Sequence, residues 1–109
     1  MIVFKRFFAL LVTALASAAA SAQTYPVRPV QVIVAYPPGG AVDVMARNLV
    51  NVMQAQLGQQ FVVVNRDGAS GAIGFGLLAN ASNDGYTLGA GPTTPMSVMP
   101  HLMKRLKYD

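Results

Sequence analysis

The stretch Val30-Gln31-Val32-Ile33-Val34-Ala35-Tyr36-Pro37-Pro38-Gly39-Gly40-Ala41-Val42-Asp43 decides how this chain folds. Residues 30–35 are β-branched or apolar apart from Gln31, the pattern of a strand buried on both faces, which suits a parallel sheet. Tyr36 to Gly40 must end that strand. Proline cannot donate to a ladder, and paired glycines reach backbone conformations closed to other residues. A helical period then begins. Val42, Met45, Ala46, Leu49, Met53 and Leu57 recur every three or four residues and predict an amphipathic helix over 41–57 with those side chains inward. Asp43, Arg47, Asn51 and Gln54 form an opposing polar stripe, with Asp43 and Arg47 in the favourable acid-first i,i+4 order. Gly58 is suited to stop the helix.

The same unit repeats downstream. Residues 61–64 read as a second apolar strand, 65–71 as a polar, glycine-rich loop, and 72–81 as a shorter helix. Gly74 and Gly76 each cost that helix about 1 kcal/mol relative to Ala, so close packing against a strand is expected there. Asn83-Asp84-Gly85 signals a turn. Residues 86–90 read as a third strand, followed by Gly91-Pro92-Thr93-Thr94-Pro95 and a last helix over 96–107, interrupted by Pro100. Met45, Met53, Met96, Met99 and Met103 lie at helical spacing and read as core filler. Upstream, residues 23–29 hold two prolines and read as an extended entry segment. The β-α-β-α-β-α order predicts an α/β fold: a three-stranded parallel sheet with flanking helices and right-handed crossovers.

Residues 1–22 read as an export signal. Lys5 and Arg6 form a positive start, residues 7–20 are apolar except Thr13 and Ser17, and Ala20-Ser21-Ala22 offers a small-x-small cleavage pattern, with cleavage expected after Ala22. The apolar run is shorter than the 18–20 or so residues of a spanning helix. The chain has 109 residues, a net charge of +4 and no cysteine. Without the signal, Arg28, Arg47, Arg66, Lys104, Arg105 and Lys107 face Asp43, Asp67, Asp84 and Asp109, and half of the positive charge sits in the last six residues. That distribution speaks against a nucleic-acid partner, which calls for clustered cations with interleaved aromatics. One histidine, no cysteine and no glutamate speak against a metal site, and no cofactor motif is present.

Two glycine-rich loops each lie between a strand and a helix start: Pro38-Gly39-Gly40 and Gly68-Ala69-Ser70-Gly71. Unpaired backbone N–H groups and the positive end of a helix dipole make such places fit for an anion, although short strand-to-helix turns use glycine in any case. With strand order 2-1-3, both helix starts face one crevice at the carboxyl edge of the sheet. Neither loop carries the lysine of a phosphate loop, and the dinucleotide fingerprint is missing. Neutral loops suit a carboxylate held by backbone donors, with Arg66 the nearest cation. Gly68-Ala69-Ser70-Gly71-Ala72 also nearly matches the G-x-S-x-G elbow of serine hydrolases, with Ala72 in place of the last glycine. An esterase would need His101 as base and Asp84 or Asp109 to orient it, and nothing in the sequence places these together.

The chain resembles the N-terminal portion of the periplasmic solute receptors of tripartite tricarboxylate transporters, the Bug family. The resemblance rests on Tyr25-Pro26, Arg28-Pro29-Val30, Pro37-Pro38-Gly39-Gly40-x-x-Asp43-x-x-Ala46-Arg47, Leu57-Gly58-Gln59, Asn65-Arg66-x-Gly68-Ala69-x-Gly71-x-Ile73-Gly74, Asp84-Gly85-Tyr86-Thr87-Leu88 and Tyr108-Asp109. It implies a type II periplasmic-binding-protein-like fold, with 23–109 forming an incomplete first lobe. It also implies a monomeric binding protein, not an enzyme, that takes a small carboxylate and delivers it to the membrane components of a secondary transporter. Carried over, the ligand-binding residues would be Tyr36, Pro38, Gly39, Gly40, Asp43, Ala69, Ser70, Gly71, Ala72, Thr93 and Thr94. Asp43 has a second reading as a first-turn acid that stabilises its own helix. Asp67 stands where the family usually has proline, Ser70 where it has glycine, and Lys107 where it has proline. The added charge of Asp67 would weaken a carboxylate pocket. Since family members are much longer, the expected product is a truncated receptor, with a non-binding relic as the alternative and a small esterase using Ser70 as the remote one.

Overall fold

Val30, Val32 and Val34 are buried, and Gln31 is exposed, so the first strand has one face committed fully to a core. The computed structural model describes residues 24–108 together with Met1; the expected export signal and cleavage point, and Asp109, fall outside the described residues. The elements are β1 (Val30–Val34), α1 (Ala41–Leu57), β2 (Phe61–Asn65), a tight 3-10 turn (Ala69–Gly71) leading into α2 (Ala72–Ala79), β3 (Thr87–Ala90), α3 (Thr94–Ser97) and α4 (Met99–Leu102). The strands form one sheet in the order β2-β1-β3, all parallel, with Val30 opposite Phe61 and Gln31 opposite Thr87. This is the three-stranded parallel sheet expected from the sequence, in the one order, 2-1-3, under which both glycine loops were read as facing one crevice.

Because β2 and β3 flank β1 on opposite sides, right-handed crossovers put their helices on opposite faces. Side chains alternate across a strand, and the packing follows. Val30 and Val32 meet Phe61 of β2 and Val50 of α1 in the main core, with Met53, Val63, Tyr86, Leu88 and Ala90 packed around them. On the other face α2 approaches β1 so closely that a Cβ on Gly74 would lie 2.7 Å from the Ala35 Cβ and 2.8 Å from the Arg66 carbonyl oxygen. The expected close packing at Gly74 is therefore present. Gly76 instead faces Lys107 of the C-terminal segment, not a strand.

Several expectations need correction. The inward line of α1 is Asp43, Ala46 and Val50, while Met45 is 73% and Leu49 60% exposed. The face is rotated from the predicted stripe because hydrogen bonds from Gly39, Arg47 and Asn65 satisfy Asp43, which lets a charged residue occupy the inner line. Among the five methionines read as core filler, Met45, Met96 and Met103 are exposed and only Met53 and Met99 are half-buried. α2 ends at Ala79, and β3 starts one residue late at Thr87. The predicted helix over 96–107 is two single turns, α3 and α4, followed by an extended Met103. Pro100 offers no N–H to the preceding turn and crowds it, so the helix cannot run through.

Both ends of the described chain are tied back. Tyr25 stacks edge-on with Tyr86, ring centroids 5.2 Å apart, and Arg28 lies 3.9 Å above the Tyr86 ring while bonding Asp84 at 2.8 Å. At the other end Tyr108 packs on Phe75 and donates its hydroxyl to the Pro95 carbonyl at 2.8 Å. Among the described residues, no helix is long and apolar enough to cross a membrane.

Candidate functional site

In a parallel sheet every strand-to-helix loop leaves from the same edge. Here three such loops converge: 36–40 after β1, 66–71 after β2 and 91–93 after β3. The Tyr36 hydroxyl donates to the Ser70 carbonyl at 3.2 Å. Gly71, with φ +94°, sits where a Cβ would come 2.8 Å from Pro95 Cγ and 3.3 Å from Tyr36 Cε2. Gly71 of the second loop thus lies between Tyr36 of the first and Pro95, the fully buried proline just past the third. Only a residue without a side chain allows that approach.

The first loop has little backbone of its own to hold it, since Pro37 and Pro38 carry no N–H. Side chains supply the hold. Gly39, at φ +80°, donates its N–H to Asp43 Oδ2 at 2.9 Å. The same oxygen accepts from Arg47 Nε at 2.9 Å, and Asp43 Oδ1 accepts from Asn65 Nδ2 at 2.8 Å. Asn65 Nδ2 also donates to the Tyr36 carbonyl at 3.0 Å, and its Oδ1 accepts from the Arg47 guanidinium at 3.2 Å. Asp43 is 3% exposed, and both of its oxygens are occupied. The Arg47 hydrogen bond, then the Gly39 N–H and Asn65, hold its carboxyl well below the usual carboxylate range, against the opposing effect of burial. The same bond pushes the Arg47 guanidinium up.

What the loop leaves open is the start of α1. Gly40 is the N-cap, extended and without a side chain over the helix end, and Pro38, Gly39 and Gly40 are exposed. The first-turn N–H groups of Ala41 and Val42 have no acceptor within the helix, as at any helix start. In the second loop Gly68, Ala69, Ser70 and Gly71 all have positive φ, and the two non-glycine residues lie at +47° and +52°. Ala69 and Ser70 are exposed, Gly71 is buried, and Ala72 opens α2 half-buried. In the third loop Thr93 is exposed and Thr94 half-buried; the Thr93 carbonyl accepts the Met96 and Ser97 N–H groups that start α3.

The structure therefore brings Tyr36, Pro38, Gly39, Gly40, Ser70, Gly71 and Ala72 to one edge, with Thr93 and Thr94 beside them. Asp43 belongs to the same edge but faces inward, as the packing partner of its own loop. Sequence reading gave Asn65 and Arg47 no role in the site. Asn65 ends β2 next to the loop, whereas in the sequence it is visible only as the first residue of the 65–71 loop and as part of the motif that carries the resemblance. The esterase constellation does not assemble around Asp84, and Asp109 lies outside the described residues. Asp84 precedes β3, so it lies at the opposite edge of the sheet from Ser70, and it is engaged by Arg28 and by the Tyr86 N–H. A larger apolar cavity of about 590 Å³ runs beside α2 and the C-terminal segment, lined by Phe75, Leu78, Met96 and Tyr108 among others, away from the glycine loops.

The family model for the tripartite tricarboxylate transporter family receptor matches residues 45–109. The chain belongs to this family. Among the receptor's relatives, protein BugT of Bordetella pertussis is 48% identical over 99 residues, which cover 90% of this chain and 30% of BugT. A solved periplasmic transporter superposes with a TM-score of 0.75 at 44% identity, over 78% of this chain and 29% of that one. MatC from Rhodopseudomonas palustris, solved with bound malate, superposes with a TM-score of 0.72 at 34% identity, over 77% of this chain and 29% of MatC. The chain spans about 30% of the length of these relatives. Its three-stranded sheet and flanking helices thus correspond to part of a lobe of a TctC-type solute-binding receptor.

Proposed function

We infer that this chain supplies the carboxylate-cradling loops of a periplasmic receptor that hands a small carboxylate to the membrane components of a tripartite transporter. The observation that carries the reading is the convergence of two glycine-lined helix starts, those of α1 and α2, beside Tyr36 at one sheet edge. The Ala41 and Val42 amides, uncovered by Gly40, offer donors at the positive end of α1; at α2 the Gly71 and Ala72 N–H groups are taken by the Gly68 and Ala69 carbonyls, so that helix start contributes its dipole. Pro38, Gly39, Ala69, Ser70, Thr93 and Thr94 line the space, and Asp43 stands behind it. Arg66 opens the second loop at its far end, and the glycine-rich stretches 38–40 and 68–71 carry no cation, which favours a carboxylate over a phosphate. The malate bound to MatC supports a dicarboxylate. Residues 1–22 act as the export signal, cleaved after Ala22, and 23–109 form the binding segment, which acts as a monomer and binds without catalysis.

The test is a titration of the purified chain with malate, and with malamide as the neutral control, followed through backbone amide resonances. Malate should shift Ala41, Val42, Gly71 and Ala72 while malamide leaves them in place. A well-dispersed spectrum in which malate moves none of these amides would sink the reading and favour a folded relic that has lost binding.

A further inference from the structure

The geometry points to Asn65 as the positioning residue of the first binding loop: its carboxamide fixes the backbone around the two prolines so that the start of α1 faces the ligand. The inference rests on the carboxylate-binding reading above and deepens it. Between Tyr36 and Gly40 the chain has only two amide N–H groups, those of Gly39 and Gly40, and the Gly40 N–H reaches the Pro37 carbonyl at a long 3.4 Å. The loop is therefore held from outside at two points on either side of the prolines. Asn65 Nδ2 holds the first, the Tyr36 carbonyl, directly at 3.0 Å. It holds the second through Asp43, whose other oxygen takes the Gly39 N–H at 2.9 Å.

The chemistry of this position is narrow. Two donors must reach two oxygens, one of them a carboxylate, while an acceptor faces Arg47. An amide meets all three needs. An ionised carboxylate has no donor, a hydroxyl has one, and an aliphatic side chain has neither donor nor acceptor. Asn65 is placed by the rigid end of β2, in register opposite Val34 of β1, so the second strand sets the shape of the first loop. The two loops of the site are thereby coupled: Tyr36 is gripped by Asn65 through its carbonyl and reaches Ser70 through its hydroxyl.

The test uses the full chain with Asn65→Asp, which keeps size and the acceptor but removes both donated bonds, and Arg47→Gln, whose side chain is half-exposed and whose loss removes two bonds of the network. Amide hydrogen exchange at Gly39 reads the hold on the loop without any ligand. In Asn65→Asp, Gly39 exchange should quicken by about tenfold or more while the Val32 and Ile33 amides stay within about twofold of the parent. Arg47→Gln should give a smaller quickening at Gly39 alone, and it decides the matter if Asn65→Asp unfolds. Unchanged Gly39 exchange in both variants overturns the proposal. Malate is the second probe. Positioning predicts that Asn65→Asp loses the malate shifts at Ala41 and Val42 and keeps those at Gly71 and Ala72. Retained shifts at Ala41 and Val42 also overturn it, with binding intact. A parent that shows the exchange effect but no malate response leaves the positioning role standing and removes the binding reading.

Discussion

Ser70 sits at φ +52° next to Ala69 at +47°, two side-chain-bearing residues in the left-handed region side by side. That conformation costs an L-residue about 1–2 kcal/mol, and glycine escapes most of the cost while adding some chain entropy to the unfolded state. Ser70 is exposed and its hydroxyl serves no described bond, so its replacement removes strain without removing a contact. Ser70→Gly should therefore stabilise the chain by roughly 0.5–1 kcal/mol, and Ser70→Val should destabilise it. Urea denaturation of the two variants checks both signs, and a destabilised glycine variant would show that the serine holds the loop in a way the backbone angles do not reveal. Asp43 makes a second residue-level case. Its carboxyl is held below the usual value of 3.8, so the folded state binds its proton less readily than the unfolded state. Its contribution to stability is complete above pH 4 or so and is lost as pH falls from there. Asp43→Asn should lower stability at neutral pH and flatten the decline of the urea midpoint below pH 4. Parallel acid profiles for parent and variant would contradict this.

At the scale of elements, α2 approaches β1 closely enough that backbone and Cβ atoms meet. A Cβ at Gly74 would stand 2.7 Å from the Ala35 Cβ and 2.8 Å from a carbonyl oxygen, and neither belongs to a flexible side chain that could turn away. Gly74→Ala gains about 1 kcal/mol of helix propensity yet should destabilise the fold by roughly 1–3 kcal/mol through overpacking. Gly76→Ala, which meets the Lys107 Cβ at 3.3 Å, should cost less, because that neighbour lies on a C-terminal segment with room to move. Thermal denaturation of the pair gives the comparison, and equal effects would mean that α2 is free to shift on the sheet. The elements also show why sequence reading succeeded where it did. Strands 30–35 and 61–64 announced themselves through apolar, β-branched runs, and the glycine loops followed from the need to leave them. The inward face of α1 was not legible, because periodicity counts apolar residues and cannot see that Gly39, Arg47 and Asn65 together make Asp43 comfortable inside. The last helix failed for a local reason that was visible: Pro100 was noted as an interruption, and it sits at the start of α4, just past the break from α3. Asn65 was part of a recognised motif, but its role depends on a strand register that places it beside a loop 29 residues earlier in the chain.

Across the whole molecule, the two ends of the described chain are fastened to opposite edges of the sheet. Tyr25 and Arg28 clamp the entry segment to Asp84 and Tyr86 at the amino edge. Tyr108 fastens the C-terminal segment at the carboxyl edge, to the Pro95 that packs on Gly71. The second fastening reaches the site, since Pro95 is the wall against which the second loop closes. Two contributions can be separated there. The hydroxyl bond to the Pro95 carbonyl is worth about 1 kcal/mol in a half-buried setting, and the ring covers Phe75 with centroids 6.0 Å apart. Tyr108→Phe should therefore cost roughly 1 kcal/mol and leave the Phe75 contact in place. Tyr108→Ala should cost roughly 2–4 kcal/mol, since it also strips the cover from a buried aromatic ring. Amide exchange should show the difference in place as well as in size: Phe substitution loosens residues 93–97, whereas Ala substitution also loosens α2 and the Gly71 amide. Equal losses in the two variants would reduce Tyr108 to its hydroxyl, and a neutral Tyr108→Phe would reduce it to its ring.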